Sequence, residues 1–299
     1  VGLGALGTVA AELLARAGIG HLKLIDRDIV ELTDLQRQLL YDEQDVGKPK
    51  ATRAVAKLRK TNSAINITAA AADVDYQSIA ELVGRPQLTL DCTDNFETRF
   101  LINDYSLKNK LPWIHAAAIK TVGQVMFFSG RKNESCFRCA FKEAQADETC
   151  DTVGVLSSAT ATTAATQATE AITFLTGKGN SGAGKLIRID VLKPEIVALN
   201  VKQNQSCSSC NGDYSYLTGK MGSKAVVLCG RGSYQIKSNK PVDLASLKKK
   251  LQHIDNVNVA DLGVCLQFRN MSIFADGRAL IKAKSEEEAK SLYARFVGL

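Results

Sequence analysis

The sequence predicts an α/β protein in which a Rossmann-like, mainly parallel sheet with an antiparallel extension is followed by a small α+β domain. Three observations predict this class. Short apolar strands alternate with helical patterns, a glycine motif stands just before the first helix, and two Cys-x-x-Cys pairs lie far apart in the chain. Strand–helix alternation favours parallel strands joined by right-handed crossovers, and the cysteine pairs predict a structural zinc site.

Strands and helices alternate along the first 120 residues. The predicted strands cover residues 21–26, 65–72, 87–91 and 112–118, and the predicted helices cover 8–17, 50–60 and a segment starting near Asn95. Past Gly123 the pattern changes to a strand at 124–128, an Ala/Thr-rich helix at 157–175 and two antiparallel strands at 186–191 and 196–201. The many threonines lower the helix propensity of the 157–175 segment.

A break at 211–222 divides the chain into a predicted domain of residues 1–213 and a second of residues 214–299. In the second domain the pattern predicts a strand at 225–229, a helix at 243–254 and a strand or hairpin within 273–281. Ser285 is the expected N-cap of a last helix, because the three glutamates that follow it favour the positive end of a helix dipole.

Composition excludes several classes of protein. Of the 299 residues, 45% are hydrophobic and 23% charged, as in soluble globular proteins. No apolar run approaches the ~20 residues that span a bilayer, and no signal-peptide pattern is present, so we expect a cytoplasmic protein without a membrane partner. Val1 already lies within the glycine motif, and we expect the natural N-terminus to precede it. The charge of +7 is spread along the chain, which argues against a nucleic-acid partner.

The glycine motif predicts a nucleotide site. Gly2, Gly4 and Gly7 form G-x-G-x-x-G before a helix, where glycines let the backbone approach phosphates and the helix N-terminus offers N–H groups. Asp26 ends the next predicted strand, at the spacing of a ribose-binding acid. Together these features favour a nucleotide over a plain turn, but they do not separate NAD from ATP.

Three later residues favour ATP. Arg37 and Lys50 are cations that suit triphosphate oxygens, and Asp94 follows a strand end and is a typical Mg²⁺ ligand. Each has an ordinary alternative: Arg37 and Lys50 as exposed charges, and Asp94 or Thr93 as the cap of the helix near Asn95. Their joint occurrence after a glycine motif favours the functional interpretation.

The chain has eight cysteines, and four of them have the spacing of a tetrahedral zinc site. The predicted ligands are Cys136, Cys139, Cys207 and Cys210, a complete set that leaves no open position and therefore indicates a structural role. Two pairs, neither at the start of a βαβ unit, argue against a thioredoxin-like motif. Cys150 precedes the long Ala/Thr-rich helix and is either an inert loop cysteine or a thiolate nucleophile.

From Val1 to about Asn211 these motifs resemble the ThiF/MoeB/HesA adenylyltransferases, relatives of ubiquitin-activating enzymes. The resemblance is carried by the glycine motif, residues 32–38 (LTDLQRQ), residues 47–50 (GKPK), residues 91–95 (DCTDN), both cysteine pairs and residues 149–155 (TCDTVGV). With the spacing, it places ATP among Gly2, Gly4, Ala5, Gly7, Asp26, Asp28, Thr33, Asp34, Leu35, Gln36, Arg37, Lys50, Asp94 and Asn95. It implies Mg²⁺ on Asp94 and Zn²⁺ on the four cysteines.

The resemblance also implies an activity and partners. The expected reaction is adenylation of the C-terminal glycine of a ubiquitin-like sulfur carrier for thiamin or molybdopterin biosynthesis, with Arg37, Lys50, Asp94 and Cys150 in catalytic roles. A homodimer and a sulfur donor such as a cysteine desulfurase are the other expected partners. The chain departs from the family at Asp34, where asparagine is usual, and at Ala5, often glycine. The part after Tyr214 is similar to an extra domain of Bacillus-like thiamin-type members.

The same features fit three other functions. An NAD-dependent dehydrogenase would use the same glycine motif, with His21, His115 or His253 as its acid or base. A zinc-ribbon nucleic-acid module would use the cysteines and the positive charge, but it leaves Asp26 and Asp94 without a role. Within the family, a short peptide is the alternative to a folded carrier.

Overall fold

The computed structural model describes residues 1–131, 133–141, 153–178, 182–193, 195–221, 226–228, 233–238, 240–253 and 258–298. The chain divides into two compact units, Val1–Gly222 and Ser223–Leu299. Within the described residues, no helix combines the length and the apolar character that are needed to cross a membrane.

The first unit contains seven strands and six helices in its described part. The strands are β1 (His21–Ile25), β2 (Asn66–Ala70), β3 (Thr89–Asp91), β4 (Trp113–Ile119), β5 (Val122–Phe128), β6 (Lys185–Asp190) and β7 (Glu195–Asn200). The helices are α1 (Ala5–Arg16), α2 (Lys50–Thr61), α3 (Ile79–Leu82), α4 (Phe96–Asn109), α5 (Phe137–Ala140) and α6 (Ser157–Thr176). Short 3₁₀ helices cover Leu32–Asp34, Glu43–Asp45 and Ser215–Thr218.

The strands of the first unit form a two-stranded sheet, β1-β2, and a five-stranded sheet, β3-β4-β5-β6-β7. The sequence predicted a mainly parallel sheet with an antiparallel extension. Strands β1 and β2 pair in parallel, as do β3 and β4, but β4, β5, β6 and β7 pair with one another antiparallel. The antiparallel part is the extension that the sequence predicted. Short hairpin turns join β4 to β5 and β6 to β7, and such turns connect antiparallel neighbours.

Residues 1–3 connect the two parallel pairs. The Gly2 N–H donates to the carbonyl oxygen of Ile25 at 2.9 Å, and the Cys92 N–H donates to that of Val1 at 2.9 Å. The carboxyl ends of β1 and β3 therefore meet at the glycine turn. Open α/β sheets bind ligands at such an edge.

Helix α6 packs closely on the sheet, which accounts for its unusual composition. Its buried face is made of alanines such as Ala164 and Ala171, both 0% exposed. A Cβ on Gly123 of β5 would lie 1.7 Å from the Thr163 hydroxyl, so this contact requires glycine. The Thr163 hydroxyl donates to the carbonyl oxygen of Ala159 at 2.6 Å, which satisfies a buried polar group inside the helix.

The C-terminal segment of the first unit packs on α4. The Tyr216 ring stacks on the Phe100 ring with a centroid separation of 5.2 Å, and the Tyr216 N–H donates to the Asp104 carboxylate at 3.2 Å. Tyr216 therefore packs within the first unit. The predicted division between residues 213 and 214 stays a prediction.

The described part of the second unit contains an antiparallel sheet and two helices. Its elements are β8 (Val226–Leu228), β9 (Ser233–Lys237), α7 (Leu244–Gln252), β10 (Val259–Asp261), β11 (Cys265–Phe268), β12 (Met271–Phe274), β13 (Arg278–Lys282) and α8 (Glu286–Phe296). The strand order is β10-β11-β12-β13-β9-β8. The predicted hairpin turns at Gly277, with φ +84°, and the Ser285 side chain caps α8 by accepting from the Glu288 N–H.

Candidate functional site

The glycine turn is shaped by close backbone contacts. Gly2 has φ +84°, and a Cβ added there would lie 2.6 Å from the carbonyl oxygen of Cys92. A Cβ on Gly7 would lie 1.9 Å from the carbonyl oxygen of Gly2. Gly4 differs, because the nearest atom to its added Cβ is the Gln38 side-chain nitrogen at 3.8 Å. Gly2 and Gly7 are therefore required by packing, while Gly4 leaves space beside the N-terminus of α1.

Helix α1 begins at Ala5, inside the glycine motif and three residues earlier than predicted. Gly4 is its N-cap residue and has no side chain with which to cap the first turn. The N–H groups of that turn and the positive end of the helix dipole thus point out of the motif, an arrangement that suits an anion.

Asp26 follows the end of β1 and joins it to the glycine turn, and its predicted contact with ribose stays a prediction. Its carboxylate accepts from the Leu3 N–H at 2.5 Å and from the Asp28 N–H at 2.7 Å. Burial raises the pKa of Asp26, the nearby Asp28 charge adds to this, and Lys50 opposes it. The carboxylate is thereby fixed within the turn.

Lys50 and Arg37 meet at Asp34. The Lys50 ammonium lies 3.2 Å from the Asp34 carboxylate and 3.7 Å from that of Asp28, and its side chain is 2% exposed. The Arg37 guanidinium lies 3.3 Å from the other Asp34 oxygen and donates to the carbonyl oxygen of Thr33 at 3.0 Å. The expectation that these two cations are plain surface charges is therefore wrong for Lys50, which is buried.

The ion pairs continue past Asp28. The Arg27 guanidinium lies 3.9 Å from Asp28 and 3.3 Å from Asp73. Burial lowers the pKa of Arg27, but Asp73, Asp28, Asp94 and Asp26 outweigh it and raise that pKa above its ordinary value. Asp94 thus lies within electrostatic reach of the charged residues around the turn. The chain of pairs alternates in sign: Asp73, Arg27, Asp28, Lys50, Asp34, Arg37.

The segment after β3 presents Asp94 to solvent. Asp91 accepts from the Thr93 hydroxyl at 2.7 Å and from its N–H at 3.0 Å, which fixes the turn. Asn95 caps α4, because its side-chain oxygen accepts from the Thr98 N–H at 2.8 Å. The alternative that Asp94 or Thr93 caps this helix is therefore wrong, and the exposed Asp94 carboxylate is not used as a cap.

A buried polar pair supports this segment and was not found from the sequence. The His115 ring nitrogen Nδ1 lies 2.8 Å from the Asp91 carboxylate, and both side chains are 0% exposed. Burial lowers the pKa of His115 although Asp91 opposes it, so the imidazole is neutral at pH 7. Burial raises the pKa of Asp91, but His115, Arg99 and Thr93 together lower it below its ordinary value.

Gln38 and Gln167 were also missed. Gln167 lies in the middle of α6, is 0% exposed, and donates to the carbonyl oxygens of Asp91 at 2.9 Å and Ile114 at 3.0 Å. Gln38 is 2% exposed beside Gly4, and its side-chain oxygen has no hydrogen-bond partner among the residues that the structure describes. Gln167 reaches the site from helix α6, far along the chain, so no sequence spacing signals it. Gln38 directly follows Arg37 in the 32–38 motif, which was the signal that could have found it.

The remaining predicted nucleotide residues surround this region. Thr33 and Gln36 are exposed on the segment that follows β1, whereas Leu35 is half-buried against the core. Ala5 is half-buried at the first position of α1. Their roles stay predictions.

The four predicted zinc ligands converge. The sulfur of Cys136 lies 3.8 Å from that of Cys139 and 3.6 Å from that of Cys207, and the Cys139 and Cys210 sulfurs are 3.6 Å apart. All four sulfurs lie within 4.8 Å of one another. The backbone N–H of Asn204 donates to the Cys139 sulfur at 3.4 Å.

Helix α4 holds both cysteine loops. The Asn103 side-chain oxygen accepts from the Phe137 N–H at 2.8 Å, between the first two cysteines. Asp104 accepts from the Ser209 hydroxyl at 2.7 Å, between the second two. Helix α4, which Asn95 caps, therefore also holds the loops of the cysteine cluster.

Of the other cysteines, Cys150 lies outside the described residues and its role stays a prediction. The chain is described again from Val153, where Gly154 accepts from the Lys120 N–H at 3.0 Å at the β4–β5 turn. Cys92 is in contact with Gln167 at 3.1 Å. Burial raises the pKa of Cys92 to about 12, so this thiol is not a nucleophile at neutral pH.

A sequence profile of the ThiF family matches residues 1–209. The chain belongs to the ThiF family. Among curated relatives, the sulfur carrier protein ThiS adenylyltransferase of Bacillus subtilis (strain 168) is 37% identical over 312 aligned residues, with 100% of this chain and 91% of the relative covered. The molybdopterin-synthase adenylyltransferase of Escherichia coli (strain K12) is 36% identical over 211 residues, with 70% and 85% covered.

This ThiF-family chain is also similar to solved structures over most of its length. The crystal structure of E. coli MccB with ATP superimposes with a TM-score of 0.63 at 25% identity, covering 70% of this chain and 64% of that one. None of the relatives named here is a dehydrogenase. The NAD alternative therefore has no support from them, and His115, the buried one of its three histidines, is paired with Asp91.

Proposed function

We propose that this ThiF-family protein uses ATP to adenylate the C-terminal glycine of a ubiquitin-like sulfur carrier. The main observation that supports the proposal is the convergence of Lys50 and Arg37 beside a glycine turn, in a chain whose relatives are named adenylyltransferases. A triphosphate needs these cations, whereas a nicotinamide cofactor gives them less to do.

The space at Gly4 suits the phosphates. An added Cβ there has only the Gln38 amide near it, and the N–H groups of α1 face the same space. Asp26 would hold the ribose, as its position at the end of β1 suggests. Thr33, Leu35, Gln36 and Asn95 complete the proposed wall of the site.

Asp94 is the proposed Mg²⁺ ligand. Its carboxylate is exposed at the carboxyl end of β3, and Mg²⁺ prefers such oxygen ligands together with phosphates and water. When bound, the ion would neutralise phosphate charge.

Positioning and charge explain the proposed reaction. The carrier's C-terminal carboxylate has an ordinary pKa of ~3.5, so it is ionised at neutral pH and needs no general base. It forms a bond to the α-phosphorus while the bond to pyrophosphate breaks, which yields an acyl-adenylate. Arg37 and Lys50 offset the repulsion between the two anions and stabilise the leaving pyrophosphate. The chain's task is otherwise to align a narrow Gly-Gly tail.

The four-cysteine cluster fits a structural zinc ion. Four thiolates around zinc at ~2.3 Å lie about 3.8 Å from one another. Three of the sulfur separations are 3.6–3.8 Å, and all four sulfurs lie within 4.8 Å of one another. Bound zinc would keep these sulfurs ionised, and the loops of Phe137 and Ser209 would then be fixed to α4. Four protein ligands leave no site for substrate, so the role is in folding.

The carrier is proposed to be ThiS-like. The relative named ThiS adenylyltransferase from B. subtilis matches the whole chain, including residues 223–299, whereas the molybdopterin-synthase relative matches 70% of it. A MoaD-like carrier and a short peptide are the alternatives. The homodimer, the sulfur donor and a covalent role for Cys150 stay proposals without a structural test.

Pyrophosphate exchange tests the proposed function. The full chain should incorporate labelled pyrophosphate into ATP when a ThiS-like carrier is present. A carrier that lacks its two C-terminal glycines is the matched control and should support no exchange. Exchange that is equal with both carriers, or absent with every Gly-Gly carrier tested, would contradict the proposal.

A further inference from the structure

Asp34 forms ion pairs with Lys50 and Arg37, the two cations that the proposed function assigns to ATP. One carboxylate oxygen lies 3.2 Å from the Lys50 ammonium and the other 3.3 Å from the Arg37 guanidinium. The Asp34 side chain is 0% exposed, and its carboxylate also accepts from the Glu31 N–H at 3.1 Å. Asp34 is thus fixed by its own backbone turn and aligned on both cations.

We propose that Asp34 competes with the ATP triphosphate for Lys50 and Arg37, and so weakens ATP binding and speeds pyrophosphate release. The proposal rests on the proposed function. A phosphate that reaches Lys50 must approach a buried carboxylate of the same charge, and the repulsion is strong where water is excluded. Asp34 therefore acts on ATP through the two cations and is a positioning residue, not a ligand of the phosphates.

The chain contains a matched carboxylate that separates this role from an ordinary structural one. Asp45 ends the 3₁₀ helix Glu43–Asp45 as Asp34 ends Leu32–Asp34, and each closes a capping box with its own turn. Asp45 is also 0% exposed and also binds an arginine and a lysine, Arg53 at 2.6 Å and Lys57 at 2.7 Å. Its two cations are not proposed ATP ligands.

Asp34→Asn keeps the shape of the side chain and an oxygen for the Glu31 N–H, but it removes the negative charge. Lys50 keeps Asp28 at 3.7 Å as a carboxylate partner. We therefore expect the variant to fold and to bind ATP roughly tenfold more tightly than the parent chain, because a like charge is removed from the phosphate site. The KM for ATP should fall while kcat is unchanged or lower, since slower pyrophosphate release opposes turnover.

The experiment is calorimetric titration of Mg²⁺ with a non-hydrolysable ATP analogue into the full chain, its Asp34→Asn variant and its Asp45→Asn variant. Tighter binding by Asp34→Asn alone supports the proposal. Unchanged or weaker binding by Asp34→Asn overturns it, and so does an equal gain in Asp45→Asn, because that would be a general effect of charge.

The same titrations distinguish a failure of the ATP site from a failure of the competition by Asp34. If the parent chain binds the analogue and Arg37→Ala abolishes binding, the ATP site stands, and an unaffected Asp34→Asn rejects only the competition. If neither the parent chain nor Asp34→Asn binds the analogue, the proposed function is rejected together with this inference.

Discussion

Gln38 is a buried residue beside the glycine turn, and we expect it to contribute to ATP binding. Its side-chain oxygen is buried beside Gly4 without a hydrogen-bond partner in the described ranges, a state that costs roughly 1–3 kcal/mol. Gln38→Met keeps the size of the side chain and removes the amide. We expect the nucleotide-free variant to be as stable as the parent or slightly more stable, and to bind ATP several-fold more weakly, as measured by thermal unfolding and calorimetry.

A second glutamine is the control for Gln38. Gln167 is equally buried but donates two hydrogen bonds to the backbone, so Gln167→Met should lower the free energy of unfolding. A Gln38→Met chain that unfolds as easily as Gln167→Met, with unchanged ATP affinity, would show that Gln38 only supports the fold.

The buried Asp91–His115 pair predicts a pH dependence of stability. The pKa of His115 is below its ordinary value of 6.5 in the folded chain, so the unfolded chain takes up a proton first as the pH falls. The free energy of unfolding should therefore decrease from pH 7 to pH 5, by at most about 1.4 kcal/mol per pH unit from this group. The pKa of Asp91 is lowered, so its contribution is lost only below about 3.8.

His115→Asn tests this dependence. An asparagine nitrogen can take the place of Nδ1 and donate to Asp91, but it does not titrate. Thermal unfolding of the variant should vary less between pH 7 and pH 5 than that of the parent chain. His21 is exposed, and His21→Asn is expected to keep the parent's slope. An identical slope in all three proteins would reject the assignment to His115.

Some of the residues that the sequence assigned to one nucleotide site have contacts at or near the glycine turn, and their roles in that site stay predictions. Gly2, Gly7 and Asp26 follow from local backbone needs, and Lys50 and Arg37 were predicted to serve one site and do meet, at Asp34. His115 and Gln167 were not predicted in roles at the site, because a strand and a helix distant in sequence bring them there. Gln38 was not predicted either, although it directly follows Arg37. The ion pairs of Asp34 were likewise not foreseen.

The four-cysteine cluster joins two loops of the first unit, and we expect a bound zinc ion there to stabilise the fold. Because a structural metal binds only the folded chain, its binding energy adds to folding. We expect one zinc per chain, and Cys207→Ser should lose it and unfold roughly 10 °C lower, since each kcal/mol is worth about 2–4 °C in a domain of this size. Metal analysis and thermal unfolding measure both effects.

Cys265 provides the control for this prediction. It is a buried free cysteine of the second unit, outside the cluster. The Cys265→Ser variant should keep one zinc ion per chain, because the four-cysteine cluster is unchanged in it. Full metal content in Cys207→Ser, or an unfolding temperature that a strong chelator does not change in the parent chain, would contradict a structural zinc.

Periodicity predicted the long elements better than the short ones. Helices α2 and α6 and strand β1 lie within a residue of the predicted bounds, because each has a clear apolar pattern. Helices α3 and α5 have four residues each, barely more than one turn, so they carry no period to detect. The start of α1 was misplaced because glycines have low helix propensity although Gly7 is helical here.

At the scale of the whole molecule, the two units predict where the chain can be divided. A chain ending at Gly222 keeps the stack of Tyr216 on Phe100, whereas one ending at Asp213 loses it together with the hydrogen bond to Asp104. We expect the longer fragment to fold with zinc bound and the shorter one to unfold at a lower temperature. Equal unfolding temperatures would place the boundary at residue 213.

Carrier-dependent exchange of pyrophosphate into ATP tests the central claim, that Arg37 and Asp94 serve one triphosphate site. The variants Arg37→Ala and Asp94→Ala remove the two groups, and Arg53→Ala is the control because Arg53 pairs with Asp45 in the same way. We predict that both site variants lose roughly a hundredfold in exchange rate, as for other lost charge-stabilising groups, while Arg53→Ala retains it. Parent-like exchange in both Arg37→Ala and Asp94→Ala would contradict the account.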